Sequence, residues 1–195
     1  MNRMYVRALI LLLLATCSVT LANPFGIEKG MSLADVGEGV EIKPGIYQLK
    51  SVPKPHSSFE SYIVRTSPEC GIYWIKAIGK SVNTSVYGSD LKNTFLAFDK
   101  KLTTAYGERE NIDRLLPNSI WDEANDWMRA LQKKERVLMS HWSNENGSTL
   151  PKGMQQIFLD TKALSTDEGY IVLEYYFDGF NSCEEEIQSL EDDNL

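Results

Sequence analysis

An amphipathic segment at residues 89–107 lies between two groups of strand-like runs and limits the chain to a mixed fold of helix and sheet. Ser89 is placed to cap the start of a helix and Gly107 to end it. We therefore expect one long helix that lies across a sheet and buries one stripe of side chains. Apolar residues on that stripe recur at intervals of four and three positions, namely Leu91, Phe95, Phe98, Leu102 and Ala105.

Six further runs read as β-strands, three before this helix and three after it. Several of them alternate apolar and polar side chains, which is typical of half-covered strands. Short connections between neighbouring strands favour antiparallel pairing, so the predicted class is α+β, with the sheet or sheets covered by the long helix and shorter helices. The shared order suggests two similar βββ halves. The predicted strands are 46–52, 61–66, 71–80, 136–142, 155–163 and 170–178.

Three shorter helices are predicted from capping residues and charges. Ser32 suits the N-cap of a short turn of helix that Gly37 stops. The segment 122–134 begins with acidic residues and ends with lysines, which matches the helix dipole. The segment 183–195 predicts a short acidic helix that frays toward its end.

The first 22 residues have the layout of a secretory signal peptide. Arg3 and Arg7 precede an apolar run that ends in small residues, which predicts cleavage after Ala22. Residues 14–17 also resemble a bacterial lipobox, so lipidation of Cys17 is an alternative. Residues 23–195 are expected to form a single α+β domain, with 84–88 as an alternative point of subdivision. The predicted location is periplasmic or secreted, with membrane attachment only if Cys17 carries a lipid.

The charge of the chain argues against nucleic acid as a partner. Loss of residues 1–22 removes two positive charges and lowers the formal net charge from −7 to −9. Binding to phosphate backbones requires a basic surface, and so does electrostatic docking to anionic lipid. The cluster Lys133, Lys134 and Arg136 is the one local exception, and a solvated helix end explains it.

Cys70 and Cys183 remain after either processing route and are expected to form a disulfide in an oxidising compartment. Free thiols and pairing with another chain are the alternatives. Neither cysteine belongs to a Cys-x-x-Cys motif, so a thioredoxin-type redox site has no support. His56 and His141 each stand alone, and no pair of Cys or His residues has the spacing of a zinc site. We therefore predict neither a metal nor another cofactor.

Residues 25–36 carry a resemblance to known exported proteins. The sequence Phe25-Gly26-Ile27, followed by Gly30-Met31-Ser32-Leu33-Ala34-Asp35-Val36, resembles the start of many uncharacterised exported bacterial proteins. It is also similar to the Gly-Met-Thr-x-x-Glu-Val motif that opens the SmpA/OmlA (BamE-like) domain. That resemblance implies a small α+β module of outer-membrane lipoproteins that help to assemble β-barrels. The chain departs from this pattern at Gly37-Glu38-Gly39, where a longer helix is expected, so only a bacterial envelope location is taken from it.

The candidate functional residues favour binding over catalysis. His141 stands near Glu135 and Ser140, but the chain has no Gly-x-Ser-x-Gly elbow and no identifiable nucleophile. Trp121 and Trp127 lie on a weakly periodic segment, which makes them candidates for an interface, although tryptophan is also ordinary core material.

The sequence therefore predicts a non-enzymatic envelope protein that binds another envelope component through its sheet face or the segment from Trp121 to Trp127. The oligomeric state is left open. A small hydrolase that uses His141 with nearby carboxylates is one alternative. A carrier with an apolar cavity under the long helix is another.

Overall fold

A computed structural model of the chain describes residues 23–192. The predicted signal peptide and Cys17 lie outside the described residues. Within them the chain is α+β, as predicted, with one antiparallel sheet and helices on both of its sides.

The sheet has nine strands within the described part of the chain, and eight of them form the order β1-β2-β3-β4-β9-β8-β7-β6. Each half of the chain supplies a four-stranded meander, and the two meanders meet where β4 pairs with β9. The strands are β1 (Gly39–Lys43), β2 (Ile46–Leu49), β3 (Phe59–Ser67), β4 (Gly71–Gly79), β5 (Val82–Asn83), β6 (Glu110–Leu115), β7 (Arg136–Ser143), β8 (Met154–Ala163) and β9 (Glu168–Phe177).

Four α-helices accompany the sheet in residues 23–192. Ser32 caps the first by accepting a hydrogen bond from the backbone N–H of Asp35, and the Asp35 carboxylate completes a capping box. The second is the long helix predicted from the periodic stripe. The helices are α1 (Leu33–Val36), α2 (Ser89–Tyr106), α3 (Trp127–Gln132) and α4 (Phe180–Asp192).

The core lies between the sheet and the two helices α2 and α3. Phe95 of α2 is fully buried, and so are Ile157 and Leu159 of β8, whose side chains share the core with it. The space beneath the long helix is filled by side chains, since Leu102 is 8% exposed and Phe98 is 9% exposed. These side chains belong to the core that packs beneath α2.

A buried ion pair holds α2 to the sheet as well. Asp99 accepts two hydrogen bonds from the guanidinium of Arg109 and one from Ser140 of β7 at 2.6 Å. Asp99 is 4% exposed and Ser140 is fully buried. Because Arg109 and Ser140 both donate hydrogen bonds to it, the Asp99 carboxylate can be buried on the inner side of α2.

The predicted elements differ from the observed ones at several points. Strands β1 and β6 were not predicted, because their residues are mostly exposed on both sides and show little apolar alternation. The helix predicted over 122–134 is α-helical only over Trp127–Gln132, after a turn of 3-10 helix at Ala124–Asp126. Ala105 is exposed, and Tyr106 takes the last buried position of the stripe.

Candidate functional site

Helix α4 crosses the side of the sheet opposite α2 and α3, and a disulfide fixes it there. Cys70 and Cys183 are bonded, with an S–S distance of 2.06 Å and a Cα–Cα distance of 6.0 Å, which confirms the predicted pair. Arg65 and Tyr73 both bind the carboxylate of Glu184 on α4, the tyrosine at 2.7 Å. Burial, followed by this hydrogen bond, raises the pKa of Tyr73, so its hydroxyl remains a donor.

Helix α4 packs against β3 and β4 and leaves much of this side of the sheet half exposed. We call the side chains that project here from β4, β9, β8 and β7 the open face. Trp74, Tyr176, Phe158 and His141 form a continuous row of rings across these four adjacent strands. Three inter-strand spacings of about 4.8 Å give the row a length of about 14 Å.

The rings in this row are in direct contact. His141 and Phe158 are stacked with their centroids 4.3 Å apart and their planes 3° from parallel. Phe158 meets Tyr176 edge to face at 5.5 Å, and Tyr176 meets Trp74 at 6.1 Å. Such contacts hold the rings in fixed orientations, so the surface they form is ordered before anything binds to it.

A small depression interrupts the row. Its volume is about 200 Å³, and its walls are Met139, Phe158 and Tyr176 with the carboxylates of Asp160 and Glu174. Glu174 accepts a hydrogen bond from the Tyr176 hydroxyl at 3.0 Å and lies 3.1 Å from Lys76 Nζ. Burial and the neighbouring Glu174 raise the pKa of Tyr176 to about 12, which keeps that hydroxyl protonated. The depression therefore offers apolar walls together with acceptor oxygens.

His141 is half-buried and packs on Phe158. Its Nδ1 lies 3.1 Å from Asn146 Nδ2 and 4.0 Å from Glu110 Oε2, and the second distance is too long for a hydrogen bond. Its Nε2 is inaccessible and has no hydrogen-bond partner among the described residues. Burial lowers the pKa of His141, against the opposing effect of Glu110 and Glu145. This geometry gives no support to the alternative in which His141 is a general base.

The two tryptophans proposed as interface residues have different environments. Trp127 is 4% exposed, and two cations lie near its ring: Lys92 Nζ at 4.2 Å from the centroid and the guanidinium of Arg136 at 5.6 Å. Gly88 makes room for it, because a Cβ at that position would stand 2.3 Å from a Trp127 ring atom. Trp121 is half-buried under the guanidinium of Arg129. Trp127 is therefore a core residue, and of the two tryptophans only Trp121 remains a candidate for the predicted interface.

The open face could be identified only in part from the sequence. The sequence predicts an interface through the sheet face but does not single out Phe158. A signal for Phe158 is present, because it shares one face of the strand with Asp160 and Lys162, whereas the alternate positions Ile157, Leu159 and Thr161 are buried. What the sequence lacks is the strand order that places β8 between β7 and β9.

Two general features complete the description of the site. Within residues 23–192 there is no helix with the length and apolar character needed to cross a bilayer. The His, Cys, Asp and Glu side chains of those residues form no group of three or more that could hold a metal ion.

Comparison of the chain with protein-family models, with curated protein sequences and with solved structures finds no match.

Proposed function

We propose that this chain is a non-enzymatic binding protein of the bacterial envelope that contacts another envelope protein through its open face. The observation that carries the proposal is the row of rings from Trp74 to His141. Tyr176, Phe158 and His141 are half-exposed, whereas Trp74 is 7% exposed and packs against Tyr176. Aromatic residues contribute strongly to protein interfaces, and half-exposed rings held in place by their neighbours lose little freedom on binding.

The depression beside Phe158 gives the interface a central anchor point. A cavity of about 200 Å³ holds a single side chain. Its apolar walls suit an aliphatic stem. The carboxylates of Asp160 and Glu174 already pair with Lys162 and Lys76, so an N–H donor at the end of that stem would use their remaining acceptor sites. A lysine or arginine of the partner has both features.

The compartment supports the same proposal. A disulfide such as Cys70–Cys183 fits an oxidising environment, which for an exported bacterial protein is the periplasm or the outside of the cell. The proposed route is removal of residues 1–22, with lipidation of Cys17 as the alternative. Intact mass of the exported protein, with and without reductant and alkylation, tests the cleavage site, lipidation and pairing of the thiols together.

Site-specific photo-crosslinking in the cells that make the protein tests the open face. A photoreactive phenylalanine analogue placed at Phe158 is expected to capture a discrete partner. Leu96 on α2 is the matched control, because it is 56% exposed but lies on a helix that covers the other side of the sheet. The proposal is wrong if position 158 captures nothing, or if position 96 captures the same product.

A further inference from the structure

A second site lies at the end of the sheet where α4 meets two turns. It is a groove of about 790 Å³, and its walls come from the segment around α1, the β1–β2 hairpin, the turn between β3 and β4, and the last turns of α4. Leu33, Tyr47 and Ile187 are half-buried there and give the groove an apolar lining. Its volume lies within the range of about 300–1,000 Å³ that is typical of ligand-binding pockets.

The charged residues of the groove all have the same sign. They are Glu41 on β1, Glu69 on the β3–β4 turn and Glu191 on α4, and no described lysine or arginine lines the groove. None of the three carboxylates forms an ion pair with another described residue. Glu41 accepts a hydrogen bond from the backbone N–H of Gly45 at 3.1 Å, which holds it at the hairpin turn.

The groove is formed before any ligand binds. The disulfide ties α4 to the β3–β4 turn, and Glu186 of α4 accepts hydrogen bonds from the Ser67 hydroxyl and the Glu69 backbone N–H. Helix α4 also packs directly on the hairpin, because a Cβ at Gly45 would stand 2.9 Å from Ile187 Cδ1. A fixed wall lowers the entropy that binding would cost.

We propose that this groove binds a cationic peptide segment in which an apolar side chain stands between basic ones. The carboxylates belong to three different elements of the fold, so a ligand with several cations spaced along a chain complements them better than a single charge does. The apolar lining requires an apolar side chain on that ligand. A formal charge of −9 on residues 23–195 would also speed the approach of such a segment.

Fluorescence anisotropy on the purified, disulfide-bonded protein tests the proposal. The probe is a short labelled peptide in which lysine and leucine alternate. We expect saturable binding of this probe and none of the peptide in which glutamate replaces lysine. The triple variant Glu41→Gln, Glu69→Gln, Glu191→Gln should bind the probe about tenfold more weakly, because three attractive charges at the groove are lost.

The matched control removes the same charge elsewhere. The variant Glu60→Gln, Glu108→Gln, Glu123→Gln changes three exposed glutamates that do not line the groove and should bind as the unmodified protein does. Equal weakening in both triple variants would overturn the proposal, because it would show attraction to the overall charge alone. Competition with spermidine, a cation without an apolar side chain, tests whether the apolar lining contributes. If spermidine displaces the labelled peptide at a concentration equal to that of the peptide, the apolar lining plays no part and the proposal is wrong.

Amide chemical shifts give a readout that needs no variant. When the unlabelled peptide is added, the signals of Gly45, Thr66 and Gly71 should shift, because all three residues line the groove. Shifts confined to other regions would overturn the assignment. The groove is separate from the open face, so Phe158→Ser is expected to leave binding of the labelled peptide unchanged. Failure of the groove proposal is therefore distinguishable from failure of the open-face proposal.

Discussion

The two longest helices of residues 23–192 cover opposite sides of one sheet and are attached to it by different means. Helix α2 buries six of its 18 residues. Helix α4 buries one of its 13 residues, and that residue is Cys183. Five of the six buried residues of α2 are apolar, and their burial is the main attachment of that helix, to which the Asp99–Arg109 ion pair adds. Helix α4 is attached by the disulfide, by polar contacts to β3 and β4, and by half-buried apolar side chains such as Phe180, whose ring packs on Tyr73 and Tyr176.

The largest expected effect is the loss of core packing under α2. Phe95→Ala removes a fully buried ring and should lower the free energy of unfolding by about 3–5 kcal/mol, through lost burial and the cavity left behind. Leu96→Ala on the same helix is the control and should cost less than about 0.5 kcal/mol, because Leu96 is exposed. Urea unfolding measures both, and equal costs would show that α2 is not held by its buried stripe.

Removal of the disulfide tests the attachment of α4. In the chain-entropy account, the variant Cys70→Ser, Cys183→Ser should lower the free energy of unfolding by about 2–4 kcal/mol, since the two cysteines are 113 residues apart. The effect should also be local, because Cys183 is the one residue of α4 that is buried. We expect hydrogen exchange to speed up in residues 180–192 while residues 89–106 stay protected, as measured by mass spectrometry. Equal acceleration in both helices would contradict the comparison.

The buried carboxylate of α2 gives a smaller effect. Asp99→Asn keeps the shape of the side chain but weakens its hydrogen bonds to Arg109 and Ser140, and should cost about 2 kcal/mol. Asp90→Asn, at an exposed position in the first turn of the same helix, should cost less than about 1 kcal/mol. If thermal unfolding shows the two variants to be alike, the ion pair contributes nothing beyond the packing around it.

The smallest effect concerns the open face and depends on pH. Because burial lowers the pKa of His141, the unfolded chain takes up this proton at a higher pH than the folded protein does. The stability contributed by neutral His141 is present above about pH 6.5 and is lost as the pH falls through the lower folded-state pKa. The melting temperature should therefore fall more on acidification in the unmodified protein than in His141→Gln. Parallel melting curves for the two proteins would rule this out.

The elements that could be predicted are those that bury side chains at regular intervals along the sequence. Helix α2 and the central strands bury a regular set of positions, so their sequence carries the period of the structure. Strand β1 is exposed at every residue, and its pairing with β2 leaves no such trace. Trp127 illustrates a different limit: its burial depends on the absence of a side chain at Gly88, which is distant in sequence and approaches Trp127 only in the folded chain.

The sequence by itself determined the α+β class and the long helix, because both follow from local periodicity. It also predicted the partner of Cys70, by leaving a single other cysteine after the predicted leader is removed. Only the tertiary structure decided the strand order and the side on which each helix packs. Those choices bring Phe158 beside Tyr176 and place carboxylates from three elements around one groove. Contacts between residues so far apart in sequence depend on the packing of the whole sheet, and no local pattern encodes them.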